Sequence, residues 1–133
     1  MTHRYMLDSN ICIYAINNHP TKVKAKLISI GEGQCAISSI VASELAFGVV
    51  KSGRSNNKAN LTRFLSLFDI IPFDDNSMWH YANLRHDLQA KGQVIGSLDM
   101  LIAAHALALD ATLVTNNVKE FDRVPNLRVE NWI

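Results

Sequence analysis

Three acidic residues, Asp8, Glu44 and Asp99, each stand as the sole charge in a long apolar stretch: Tyr5–Ile16, Ala36–Val50 and Gly92–Leu109. A carboxylate stripped of water without a partner is very costly, so Asp and Glu are almost never buried alone. No lysine or arginine lies in any of the three stretches to pair with them locally. A fold that buries these stretches is therefore expected to gather the three acids at one site around a shared cation. That pattern points to a metal-dependent enzyme.

The chain of 133 residues fits one domain, 1–133, and is long enough to bury a core. With 48% hydrophobic and 19% charged residues it suits a compact fold rather than a disordered segment. The charge at Asp8 interrupts the first apolar run before an export signal could form, and Met100–Leu109 is about half a membrane span. A cytoplasmic location is expected. Cys12 and Cys35, the only cysteines, lack CxxC spacing and read as buried thiols, not metal ligands. A net charge of +1 gives no basic bias toward nucleic acid. Two local cationic groups, Lys22-Lys24-Lys26 and Lys51-Arg54-Lys58, read as solvated helix faces.

Strand-like and helix-like segments alternate along the chain. Strands are expected at Tyr5–Leu7, Cys35–Ile37, Ile70–Phe73, Ala111–Val114 and Leu127–Glu130. Helices are expected over Asn10–Ile16, from Pro20–Thr21 to Gly31, from Ser38 or Ser39 to about Val50, and through the Leu61, Phe64, Leu65, Phe68 stripe. Others run from about Asn76 to Ala90 and from Ser97, as cap, through Leu98, Leu101, Ile102 and Leu109; a last turn covers Val118–Phe121. Lys51–Asn57 reads as a connection. This alternation predicts an α/β fold, a central parallel sheet covered by helices on both sides in three layers.

In such sheets ligands bind beyond the carboxyl ends of the strands. Asp8 follows the first strand directly. Asp99 lies in a helix's first turn, where the helix dipole favours negative charge. Glu44 shares its helix face with Ile40 and Phe47, which predicts that it points inward or into a cleft. Three clustered carboxylates repel one another unless a cation intervenes, and an all-oxygen set selects Mg²⁺ or Mn²⁺ over zinc. Such ions commonly serve phosphate chemistry. Thr115 and Asn117, after a later strand, are placed to hydrogen-bond in the same cleft, although turn chemistry alone explains them equally well. His105 is expected to pack in the core, as are Trp79 and Trp132. No GxGxxG or GxxxxGK[ST] loop is present to bind a nucleotide cofactor.

These residues resemble the PIN-domain ribonucleases, and within them the VapC toxins of toxin–antitoxin pairs. The resemblance spans the chain through Met6-Leu7-Asp8-Ser9-Asn10, Ser39 to Glu44 with Gly48 following, Asp99 to Ala106, Thr115-Asn116-Asn117 with Glu120-Phe121, and Leu127 to Trp132. It implies a Mg²⁺- or Mn²⁺-dependent endoribonuclease in which Asp8, Glu44 and Asp99 bind the ion and Thr115 and Asn117 support them. It further implies a homodimer silenced by a VapB antitoxin, and initiator tRNA, cut in the anticodon stem-loop, as substrate. Many PIN domains carry a fourth acid where Asn117 stands, which favours one metal over two. Two rivals remain at this point. A phosphatase with Asp8 as nucleophile would want an acid two residues on, where Asn10 stands. A non-catalytic RNA- or protein-binding module has no need for three unpaired acids.

Overall fold

Short strands that are apolar on both faces survive only when helices cover both faces of their sheet, and β1 (Tyr5–Leu7) and β2 (Cys35–Ser38) bury every residue they have. The computed structural model describes residues 3–133. With β3 (Asp69–Ile71), β4 (Thr112–Val114) and β5 (Val129–Glu130), the strands pair in the order β3-β2-β1-β4-β5. Every pairing is parallel, and Tyr5 stands opposite both Cys35 and Thr112.

The helices are α1 (Ser9–Asn17), α2 (Thr21–Ile30), α3 (Ser39–Ser52), α4 (Ser55–Leu65), α5 (Asp75–Ala90), α6 (Ser97–Leu109) and α7 (Val118–Phe121). The chain steps from β1 to β2 to β3 in one direction, then crosses back to β4. Right-handed crossovers therefore put α1 to α4 on one face and α5 and α6 on the other, in keeping with α1 packing on α2, α3 on α4 and α5 on α6. This is the three-layer arrangement expected. None of the helices described is long and apolar enough to cross a membrane.

The core lies on both sides of β1 and β4, with Met6, Leu7, Ile37, Leu113, Ile11, Val41, Ile102 and Phe121 fully or almost fully enclosed. Cys12 and Cys35 are buried free thiols. Trp132 closes one end edge-on to Tyr5, their ring centroids 5.4 Å apart. His105 is wholly buried, its Nδ1 2.7 Å from Ser38 Oγ.

Several local expectations are corrected. Lys51–Asn57 is not a loop: α3 continues to Ser52, and after Gly53 and Arg54 the chain re-enters helix at Ser55. Gly53, at φ 66°, makes that tight exit possible. Asn57 lies in this second helix, and its amide donates back to Ser52 Oγ (3.1 Å). Ser97 is the first residue of α6, and Gly96 occupies the cap. Strand β5 starts at Val129, not Leu127. Trp79 is 64% exposed and Leu98 48%. Both sit on helices whose other faces already fill the available core.

Candidate active site

Strands β1 and β4 are neighbours whose connections leave in opposite directions, so a crevice opens beyond their carboxyl ends. Asp8 follows β1 with its backbone N–H donating to Val114 O (2.9 Å), which pins it beside the end of β4. It also caps α1: the Ser9 N–H donates to Asp8 Oδ1 (2.8 Å). Thr115 Oγ1 donates to Asp8 Oδ2 (2.8 Å) and accepts from the Asn117 N–H (3.0 Å). Both Asp8 and Thr115 are buried. Burial pushes the Asp8 carboxyl above its usual range, against the pull of the Thr115 and Ser9 hydrogen bonds, and Glu120 adds to the rise.

Glu44 reaches the same crevice from α3, where Ser9 Oγ donates to its Oε1 (3.0 Å). Ser9 therefore touches two acids, one through its backbone and one through its hydroxyl. Glu44 is half-buried, but Phe47 on the face assigned to it is 67% exposed. The core stripe of α3 is Val41 and Leu45 instead. Glu44 thus points along the edge of that stripe toward α1, rather than into the interior.

Asp99 enters from the first turn of α6 and meets an acid that reasoning from the sequence missed. Glu120, on α7, accepts from the Gly96 N–H through Oε1 (2.9 Å) and from Asn117 Nδ2 through Oε2 (2.6 Å). The Asp99 and Glu120 carboxyls share a hydrogen bond. Burial first, then Glu120, Asp8 and Glu44, push the Asp99 pKa up to about 7. Glu120 is held below its usual range by the hydrogen bond from Asp99 and by the Gly96 N–H. The two side chains act as one couple that keeps a proton near neutrality. Asn117, for its part, holds through its amide the acid three residues on.

Asp8, Glu44, Asp99 and Glu120 thus influence one another electrostatically across one crevice. Among the described residues none of them forms a salt bridge with lysine or arginine. Nor do any three Asp, Glu, His or Cys side chains among those residues stand close enough to clasp one ion as placed. Three of the acids are instead turned to donors of their own, Asp8 to Thr115, Glu44 to Ser9, and Glu120 to Gly96 and Asn117. The donor set, carboxylates backed by hydroxyls and free of thiolate or imidazole, is chemically that of a hard cation. A single carrier of the missed signal is visible in Glu120-Phe121: Phe121 is wholly buried and drags its neighbour toward the crevice.

The PIN domain model matches residues 5–127, and the chain belongs to that family. Ribonuclease VapC2 of Rickettsia felis is 51% identical over 130 residues, covering 96% of this chain and 97% of that protein. The tRNA(fMet)-specific endonuclease VapC of Shigella flexneri is 37% identical, with 97% and 98% covered. A chain of the Rickettsia felis VapBC2 complex, crystallised on a DNA fragment from its promoter, matches with a TM-score of 0.90 at 48% identity, over 97% of this chain and 98% of that one. One from DNA-bound VapBC of Salmonella typhimurium matches at 0.93 and 34% identity, over 99% and 100%. Within the PIN family the chain falls among the VapC ribonucleases.

Proposed function

We propose that this chain is the toxin of a VapBC pair, a Mg²⁺- or Mn²⁺-dependent endoribonuclease that cuts initiator tRNA in its anticodon stem-loop. The observation that carries the metal dependence is the crevice itself. Asp8, Glu44, Asp99 and Glu120 border it with hydroxyl and amide donors beside them, and among the described residues no lysine or arginine forms an ion pair with any of the four. Asp8, Asp99 and Glu44 would hold the ion, joined by Glu120. When bound, the ion would make water a stronger nucleophile and offset charge developing at phosphorus.

The remaining work falls to the chain's own groups. Thr115 fixes one oxygen of Asp8, Ser9 orients Glu44, and Gly96 with Asn117 holds Glu120 against Asp99. Lysines and arginines outside the apolar runs would hold the RNA backbone, making binding salt-sensitive. The tRNA assignment is supported by the Shigella flexneri relative, a tRNA(fMet)-specific endonuclease, and a VapB-type antitoxin partner by the complexes in which relatives were crystallised. A homodimer inside that complex completes the proposal.

Incubating the purified toxin with bulk tRNA in Mg²⁺, Mn²⁺ or EDTA tests it, with 5′ and 3′ ends of the products sequenced. Cleavage confined to the initiator tRNA loop, dependent on the ion and abolished in Asp99→Asn, is the expected result. Cleavage that persists in chelator would overturn the metal requirement; cuts spread over many tRNAs would overturn the substrate.

A further inference from the structure

Beside the acid crevice a cavity of about 520 Å³ opens between α1, α3 and α4. Its size is that of a small-molecule site. Ser9 and Glu44 form part of its lining, so it is continuous with the crevice where the scissile phosphate would lie. Its other walls are of two kinds. Ile13, Ile16, Val49 and Leu61 supply apolar surface, while Asn10, Asn17, Asn57 and Asn60 supply carboxamides; Glu44 is the only charged residue among the lining side chains.

We infer that this cavity receives one unstacked nucleobase of the RNA strand, next to the bond that is cut. Sequence-specific recognition of RNA works on splayed bases, packed on side chains and hydrogen-bonded along their edges. Asparagine offers a donor and an acceptor side by side, the pair that matches adenine's N6 and N7. An amide-rimmed pocket with apolar walls and a single charged residue at its crevice end suits a neutral base. Asn17 makes no side-chain hydrogen bond among the described residues, and Asn57 uses only its amino group, toward Ser52 Oγ. Their remaining groups are left for a ligand. The inference rests on the nuclease reading given above.

Gly48 is an independent sign. It sits in the interior of α3, lines the cavity, and is not among the residues with positive φ. A Cβ at this position would meet nothing within 4 Å. Neither backbone conformation nor packing within the chain therefore calls for glycine, although glycine weakens a helix interior relative to alanine. Close approach of a flat ligand to the α3 backbone accounts for it.

The test uses the cleavage site mapped on wild-type digests. Hairpin oligoribonucleotides carrying A, C, G, U or an abasic residue at each nucleotide flanking that site are then cut by wild type, Gly48→Ala and Asn57→Ala/Asn60→Ala. At one flanking position the wild type is expected to favour its preferred base over the abasic residue by tenfold or more in kcat/KM. Both variants should lose most of that preference, through KM more than kcat. Gly48→Ala should at the same time gain about fivefold in its folding equilibrium, so misfolding cannot mimic the effect. Abasic RNA cut as well as intact RNA by wild type would overturn the pocket while leaving the nuclease intact. So would variants with wild-type preference that lose capture of a VapB-type antitoxin, which would give the cavity to the protein partner. A wild type that cuts no hairpin or tRNA overturns the nuclease reading, and the pocket with it.

Discussion

Replacing Asp99 by asparagine should stabilise the metal-free protein, and only above neutrality does the gain become full. Folding raises the Asp99 pKa from an ordinary 3.8 to about 7, chiefly through burial and then through Glu120. An acid whose folded pKa is raised adds stability that is complete below about pH 4 and lost as pH climbs through about 7. A rise of that size corresponds to roughly 4 kcal/mol at full strength. Asp99 is only half-buried, however, and solvent screening brings the figure down to about 1–2 kcal/mol. Asparagine carries no charge to be penalised, and its amide can still donate to Glu120. Thermal unfolding followed by circular dichroism in EDTA, from pH 4 to pH 8.5, measures the difference directly. Above pH 7.5 the variant should melt about 3–8 °C higher than wild type, and the two curves should converge near pH 4. Saturating Mn²⁺ should reverse the order, because binding to the folded state stabilises the protein that binds better. A variant that melts below wild type at pH 8 in EDTA, or a gap that stays constant down to pH 4, would refute the reasoning.

If the proposed ion binds in the crevice, the same proton couple would govern its uptake: ligands must be deprotonated, so Mn²⁺ affinity measured by titration calorimetry should weaken as pH falls through about 7, and Glu120→Gln should lower it at least tenfold. Unchanged affinity in Glu120→Gln would remove that residue from the ion's surroundings. Burial depresses the His105 pKa, so its contribution is present above about pH 6.5 and lost on acidification. His105→Ala, which removes a fully buried ring and its bond to Ser38, should cost about 2–4 kcal/mol in urea unfolding; a loss below about 1 kcal/mol would show that the ring is dispensable. Burial raises the Cys35 thiol to about 11 and the Cys12 thiol further still. Iodoacetamide at pH 8 should therefore leave the folded protein unlabelled for hours and label both thiols in urea, whereas rapid labelling of the native chain would mean the core opens readily.

What could be read from the chain, and what could not, divides along a physical line. The strand–helix alternation was legible because burial on two faces demands continuous apolar strands, and β1 and β2 have no other way to be satisfied. Asp8, Glu44 and Asp99 stood out because each interrupts such burial at an evident cost. Glu120 carries the same charge and meets Asp99 directly, yet it lies between Lys119 and Phe121 and shortly before Asp122 and Arg123. In that company a carboxylate looks solvated, and only the turn of α7 brings it under Gly96. The exposure of Phe47, placed on the face of Glu44, was missed for the opposite reason. Helix α3 is apolar around most of its circumference, so periodicity could not tell its core stripe, Val41 and Leu45, from the exposed Phe47. Gly48 on that same helix is an exception of another kind, a residue that weakens the helix with no internal contact in return. An acid in an apolar run and a glycine in a helix are informative for one reason. Each runs against the local preference of its surroundings, and that departure is what marks it as a candidate for contact with something the protein binds.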